Sequence, residues 1–282
     1  MNTTADLDRF TQWIGRTETR HDVASPAPLA SLSALLDRDD PQPKAGDIAP
    51  PLAHWLYFLP NYRNSEAGDD GHAGKGGLLP EMPLPRRMWA GSRLEFLKPL
   101  RVGSEIERVS TVRDVKVKSG RSGALVFVTV RHEVRDGLGT LLVDEHDIVF
   151  REAGTLANPP QPAPAAAPWQ REIRPDPLLL FRYSAVTFNG HRIHYDHPYV
   201  TQVEGYPGLV VHGPLIATLL VDLLRRNKPG VELRKYTFRA LRPLYDTAPF
   251  HTCGAPDEAA RTAKLWTRDA EGAMTMDASA EW

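Results

Sequence analysis

Val211-His-Gly-Pro-Leu-Ile-Ala-Thr-Leu-Leu-Val-Asp-Leu-Leu-Arg-Arg226 reads as one long helix. Leu215, Ile216, Leu219, Leu220, Leu223 and Leu224 recur at helical spacing and cover a wide apolar face. Arg225, Arg226 and Lys228 complement the negative end of the helix dipole, and Pro229-Gly230 stops the helix. A helix this apolar needs cover on most of its circumference, which a curved sheet wrapped around it supplies.

The strand signals lie on both sides of it. Ser92–Leu97, Glu105–Lys118, Ala124–Arg135 and Thr140–Phe150 are rich in β-branched residues. Turns at Ser119-Gly-Arg-Ser-Gly123 and Asp136-Gly137 punctuate them, which makes an antiparallel meander. Shorter strands follow the helix at Arg234–Ala240, Ala248–Gly254, Thr262–Arg268 and Met274–Glu281. Near the N-terminus, Leu7–Ile14 has helical spacing, and Pro26–Leu36 reads as a helix with Ser25 as N-cap.

Asn158-Pro-Pro-Gln-Pro-Ala-Pro-Ala-Ala-Ala-Pro168 is too small and too proline-rich to build a core. It reads as a linker at 158–168 between domains 1–157 and 169–282. The halves carry matching marks in the same order. Pro51-Leu52, opening an apolar run to Leu59, mirrors Pro214-Leu215; Lys98-Pro-Leu100 mirrors Arg242-Pro-Leu244; Arg135-Asp136 mirrors Arg268-Asp269. The expected fold class is therefore α+β, with each half a long central helix wrapped by a curved antiparallel sheet. A long insertion, Asn61 to Pro85, interrupts the first half with Gly68, Gly71, Gly74, Gly76, Gly77, Pro80 and Pro83. A loop of that length inside a domain is functional or disordered.

Charge sets further bounds. The 34 Lys+Arg nearly balance 35 Asp+Glu, and no lysine-rich run suggests nucleic acid as a partner. The single Cys253 allows no internal disulfide framework and suits a reducing cytoplasm. No apolar run is long enough to span a bilayer, so a cytoplasmic protein without a membrane partner is expected, with a homo-oligomer left open. No Gly-x-Gly-x-x-Gly, Walker-type or Gly-x-Ser-x-Gly motif occurs.

Chemistry concentrates in Tyr183-Ser-Ala-Val-Thr-Phe-Asn-Gly-His-Arg-Ile-His-Tyr-Asp196. His194 is the candidate general base, since imidazole exchanges protons near neutrality. Asn189 does not titrate, but its amide can hold a water or a carbonyl, or simply form an Asn-Gly turn. His212-Gly213 opens the long helix, where a free Gly213 N–H would receive a carbonyl oxygen. Arg192 is either a solvated side chain or a contact for a substrate carboxylate. Arg86 and Arg87, beside Trp89, are either solvated or pair with a carboxylate or the phosphates of a large substrate. His191, His194, Asp196 and His197 form no complete ligand set, so no metal is expected.

These residues resemble the hotdog-fold hydratases. The motif of that superfamily has an Asp five residues before a catalytic His, in a run ending His-x-Asp. Ile193-His194-Tyr195-Asp196 fits its end, Asn189 stands at the Asp position, and His191-Arg192 replaces Asn-Pro. This version is similar to the subgroup of mitochondrial type 2 hydroxyacyl-thioester dehydratases and bacterial mesaconyl-C4-CoA and itaconyl-CoA hydratases. Val211-His-Gly-Pro-Leu215 and Pro83-Leu-Pro-Arg-Arg-Met-Trp-Ala-Gly91 look like the same subgroup. The resemblance implies two hotdog folds in tandem, with only the second catalytic and the first shaping the acyl pocket.

The expected reaction is hydration of a 2-enoyl-CoA thioester, with itaconyl-CoA or mesaconyl-C4-CoA giving citramalyl-CoA. His194, Asn189 and Gly213 are its expected catalytic residues. His212, Arg192, Arg86, Arg87 and Trp89 are the expected substrate contacts. CoA enters as part of the substrate, and no cofactor is needed. The competing readings are a fatty 3-hydroxyacyl-thioester dehydratase, a hotdog thioesterase and a non-catalytic acyl-CoA-binding protein.

Overall fold

β-branched strands need partners. In the computed structural model they pair into one antiparallel sheet of ten strands, in the order β1-β3-β4-β5-β2-β7-β10-β9-β8-β6. The first-half strands are β1 (Thr17–Val23), β2 (Arg86–Phe96), β3 (Glu105–Gly120), β4 (Gly123–Asp136) and β5 (Gly139–Arg151). The second-half strands are β6 (Trp169–Ile173), β7 (Lys235–Ala240), β8 (Phe250–Asp257), β9 (Thr262–Arg268) and β10 (Met274–Glu281). Among the described residues three α-helices accompany them: α1 (Pro26–Leu35), α2 (Pro177–Val186) and α3 (Gly213–Asn227). The structure describes residues 9–73, 77–79, 82–84, 86–120, 123–152 and 159–282. Leu7, Gly74, Gly76, Pro80, Pro85, the turn residues Arg121 and Ser122, Asn158 and the expected boundary at 157 lie outside them.

The strand order repeats. β1-β3-β4-β5-β2 in the first half becomes β6-β8-β9-β10-β7 in the second, and β2 pairs with β7 where the halves meet. That seam runs from Gly91 opposite Arg239 to Glu95 opposite Lys235. The duplicated order of sequence marks thus corresponds to a duplicated topology.

The long helix forms as its pattern requires. α3 buries Leu215, Ile216, Ala217, Leu219, Leu220, Val221, Leu223 and Leu224, and it packs on β6, β8, β9 and β10. Each fully buried leucine contributes about 1.5–3 kcal/mol relative to exposure. Its one buried carboxylate, Asp222, is matched by three guanidinium groups: Arg38 at 2.8 Å, Arg171 at 2.8 Å and Arg226 at 2.7 Å. Arg171 and Arg226 also donate to the Leu36 carbonyl just past α1, which ties the first half to α3.

The first half departs from the expected plan. Where a second long helix was expected after Pro51-Leu52, there is only a short 3-10 turn, Ala53–Leu56. The backbone gives the reason. Leu52 and Phe58 both take left-handed φ, at 69° and 56°, which breaks the run before a second turn can form. Leu7–Ile14 is likewise represented by a 3-10 turn, Arg9–Trp13. Ser25 does stand at the N-cap of α1, with Pro26 at its first position, but its side chain makes no capping bond.

The space beside Ala53–Leu56 holds a buried polar network. Fully buried Asp144 accepts hydrogen bonds from His54 Nε2 at 3.1 Å, Trp55 Nε1 at 2.9 Å and His146 Nε2 at 2.7 Å. His132 shares a hydrogen bond of 2.8 Å with Ser110 and stands 4.4 Å from the His146 ring.

Candidate active site

Asp176 caps α2 by accepting the Leu179 N–H at 2.8 Å. The helix then carries Ser184 into the core, and Phe188, at φ 48°, turns the chain into Asn189-Gly190-His191. Arg192–His194 form one 3-10 turn that buries His194. Val210 N–H donates to Ile193 O at 3.0 Å, which brings this turn against the entry to α3. The local folding therefore joins the two motifs: His194 and His212 stack with ring centroids 3.6 Å apart.

Hydrogen bonds decide what each imidazole can do. His194 Nδ1 lies 2.7 Å from the Val210 carbonyl oxygen, which can only accept. Nδ1 therefore carries the proton and Nε2 keeps its lone pair, the form a general base requires. Burial is the main cause that pushes the His194 pKa down to about 4; the Val210 carbonyl opposes it and His72 adds to it. His212 is fully buried, with Nε2 against Ser184 Oγ at 2.8 Å. Its pKa is held well below the ordinary imidazole range by burial first, then by His194 and His191.

His212 is the N-cap of α3, and Gly213 is its first residue. Pro214 has no N–H, so Gly213 supplies the first amide at this helix end. A Cβ added at Gly213 would meet nothing within 4 Å, so the space beside its Cα is open. Asn189 Oδ1 accepts the His191 N–H at 3.0 Å, the Asx turn that an Asn-Gly pair favours. Its Nδ2 remains as a donor.

The arginines divide. Arg192 is tied to Asp196 at 2.8 Å, lies over the Tyr199 ring at 4.1 Å, and donates to the Asp69 carbonyl at 2.9 Å. Arg86 pairs with Glu204 and faces the Tyr206 ring at 5.7 Å. Both act as braces. Arg87 has no carboxylate at ion-pair distance among the described residues. Its pKa is lowered by partial enclosure, which the charges of Asp70 and Tyr62 oppose. Trp89 belongs to another cluster: its indole N–H donates to Gly91 O at 2.9 Å and its ring lies 4.1 Å from His146 and 5.0 Å from Trp55.

The sequence reading missed what the long insertion contributes. Arg192 N–H donates to Asp70 O at 2.9 Å, and Tyr62 Oη–H donates to Gly71 O at 2.6 Å. The first of these, with the Arg192 guanidinium on Asp69 O, holds the insertion against Asn189–His194, and the second braces Tyr62–Gly71 within it. His72 stacks on His191 with centroids 4.0 Å apart, and His191 stands edge-on to His194 at 5.3 Å. Asp70, His72 and His191 place ligand-type atoms within 4.8 Å of one another. However, Asp70 already uses both oxygens on His72, and Arg87 supplies positive charge beside them. The group reads as a carboxylate–imidazole dyad on a second ring. Its only advance sign was His72 inside a loop too long to be a mere connection.

Gly71 and Gly190 meet backbone to backbone. A Cβ at Gly71, whose φ is 84°, would lie 2.0 Å from the Gly190 oxygen. Gly71→Ala should destabilise the fold by roughly 1–3 kcal/mol and lower kcat/KM together with stability. Urea denaturation with parallel kinetics checks this, and an unchanged midpoint would contradict the docking.

The model of the family Hydroxyacyl-thioester dehydratase type 2 matches residues 52–246. The chain is 44% identical over 276 residues to Mesaconyl-C(4)-CoA hydratase of Chloroflexus aurantiacus, covering 95% of this chain and 96% of that one. Among solved structures, a MaoC-like dehydratase from Phytophthora capsici superposes with a TM-score of 0.71 at 15% identity, covering 98% of each chain. A Mycobacterium tuberculosis protein described as having a double hotdog fold gives a TM-score of 0.59 at 13% identity, covering 95% of this chain and 96% of that one. The structural likenesses establish a hotdog fold. With the match over most of the length and the close relative along nearly all of it, the chain belongs to the hydroxyacyl-thioester dehydratase type 2 family and is a hydro-lyase.

Proposed function

We propose that this protein adds water reversibly to a 2-enoyl-CoA thioester bearing a free carboxylate, with mesaconyl-C4-CoA giving citramalyl-CoA. The observation that carries the reading is His194: buried, fixed by Val210 with Nε2 unprotonated, and stacked on His212, the N-cap of α3. The name of the 44% identical relative supports the acyl group. Mesaconyl-C4-CoA has its double bond conjugated to the thioester, as an enolate mechanism demands. Itaconyl-CoA has it one bond further away and is the second choice.

In this reading Gly213 N–H, aided by the helix dipole, receives the thioester oxygen as charge gathers there. Asn189 Nδ2 donates to the attacking water. His194 Nε2 takes the proton as the water oxygen bonds to Cβ, and the enolate collapses when Cα takes a proton. No metal or redox cofactor enters these steps. The first half acts by shaping the acyl pocket.

The free carboxylate falls to Arg87, since Arg86 and Arg192 already have acidic partners. A charge-assisted hydrogen bond is worth about 1.5–3 kcal/mol. Arg87→Ala should therefore lower kcat/KM for mesaconyl-C4-CoA by roughly ten- to a hundredfold while sparing crotonyl-CoA. Equal losses on both substrates would remove Arg87 from the carboxylate site.

The deciding experiment incubates the protein with mesaconyl-C4-CoA, itaconyl-CoA and crotonyl-CoA and follows products by mass. Gain of one water on a dicarboxylyl thioester supports the reading. Gain on crotonyl-CoA alone supports a fatty-acyl dehydratase. Release of free CoA supports a thioesterase, and no change supports a binding protein.

A further inference from the structure

We propose that His72, held by Asp70, is the second proton-transferring residue of this active site and delivers the proton that Cα takes up. This deepens the hydratase reading and rests on it. Hydration moves two protons, one from water to a base and one from an acid to Cα. The segment Asn189–Asp196 supplies a base in His194, while Asn189 cannot titrate and Asp196 is bound by Arg192 and the Tyr199 N–H.

Three further imidazoles lie close. His212 is fully buried behind His194, with Nε2 engaged by Ser184. His191 has no carboxylate partner among the described residues. His72 does: Asp70 Oδ1 accepts its backbone N–H at 3.0 Å, and Asp70 Oδ2 accepts its Nδ1–H at 2.9 Å. A carboxylate only accepts, so Nδ1 keeps its proton and Nε2 is the atom that gains or loses one. A negative partner behind the ring favours the imidazolium, the form that can donate. Of the three, His72 is thus the ring built to carry a proton.

The charged or titrating groups around His72 are Asp70, Arg87, Tyr62 and His191, with His194 beyond. Burial first, and then Arg87, hold its pKa below the ordinary imidazole range, against Asp70. An acyl carboxylate or a developing enolate works in the opposite direction, so the proton is drawn to His72 when substrate charge is beside it.

The steps balance. His194 Nε2 takes one proton of the water as the oxygen bonds to Cβ, and the π electrons pass to the thioester oxygen. The His72 imidazolium gives its Nε2 proton to Cα as the carbonyl re-forms. His194 is then charged and His72 neutral, and the proton returns through solvent or through the His191 ring between them. One water is consumed and nothing else.

The test uses the full chain with His72→Gln and Asp70→Asn, each checked for an unchanged thermal midpoint, with His72→Asn as the substitute if Gln does not fold. His72→Gln should lower kcat by about a hundredfold with KM nearly unchanged. It should also raise the isotope effect on dehydration of Cα-deuterated citramalyl-CoA, and remove one limb of the kcat/KM pH profile while leaving the limb of His194. Asp70→Asn should cost about tenfold and move the His72 limb to lower pH, because the negative partner is gone. Wild-type kcat in His72→Gln overturns the proposal, as does a loss with the isotope effect and both limbs unchanged. If the wild type hydrates the thioester and His194→Ala abolishes this while His72→Gln does not, only this proposal fails. If the wild type hydrates no enoyl thioester, both readings fall.

Discussion

His194→Ala is expected to lose roughly a hundred- to ten-thousandfold in kcat, with KM for the thioester within a few-fold of wild type. The reasoning rests on one hydrogen bond. Val210 O fixes the proton on Nδ1, so His194 presents Nε2 to the substrate side as a ready acceptor. Removing the ring removes the acceptor but leaves the Gly213 amide and the acyl-binding surfaces in place. The loss therefore belongs to the chemical step. His194→Gln should fare no better, because an amide cannot take a proton from water. The structural cost is modest, about 1 kcal/mol for the unpaired Val210 carbonyl, so a thermal melt separates inactivity from unfolding. Steady-state kinetics that retain a tenth or more of wild-type kcat would take the base away from His194.

Acid should unfold the protein steeply. Burial lowers the pKa values of His54, His132, His194 and His212 in the folded chain. Their unfolded value lies near 6.5. Below that pH the unfolded chain binds protons that the folded chain refuses. The stabilisation is complete above about 6.5 and is lost as pH falls towards the folded values. A ring that stays neutral in the folded chain contributes at most about 1.4 kcal/mol per pH unit, so the four losses add in the same direction. Asp144, also lowered, adds a loss in the same direction at lower pH. Urea midpoints measured from pH 7.5 to 5 should fall continuously below about 6.5. A flat profile across that range would mean that these rings are protonated in the folded state.

The parts legible in the sequence were those with local signals. α3 announced itself by apolar spacing, and the meander by β-branched runs and turns. The edge strands β1 and β6 went unread because Thr17–Val23 buries none of its residues and Trp169–Ile173 only Ile173, leaving almost no apolar alternation. α2 did carry a readable start, Asp176 before Pro177, which the functional motif immediately after it obscured. At the site, His194 and Gly213 could be named from their own neighbourhoods. The fate of Arg86 could not, since Glu204 is far from it in sequence, whereas Arg192 has its partner Asp196 four residues on in the same motif. Asp70 and His72 were hidden for the same reason: their meaning comes from a segment more than a hundred residues away.

The short turn Ala53–Leu56, in place of a second long helix, bears on how such a chain changes through descent. In an assembly of two identical subunits, every substitution appears twice, and neither copy can give up an element that the other needs. Two copies in one polypeptide, joined through β2 and β7, are released from that symmetry. One copy can keep the proton chemistry at α3 while the other discards its helix and lengthens a loop into its neighbour. On the reading proposed above, the molecule has half the reaction centres that its repeats would allow, and each repeat is free to be selected for a different task.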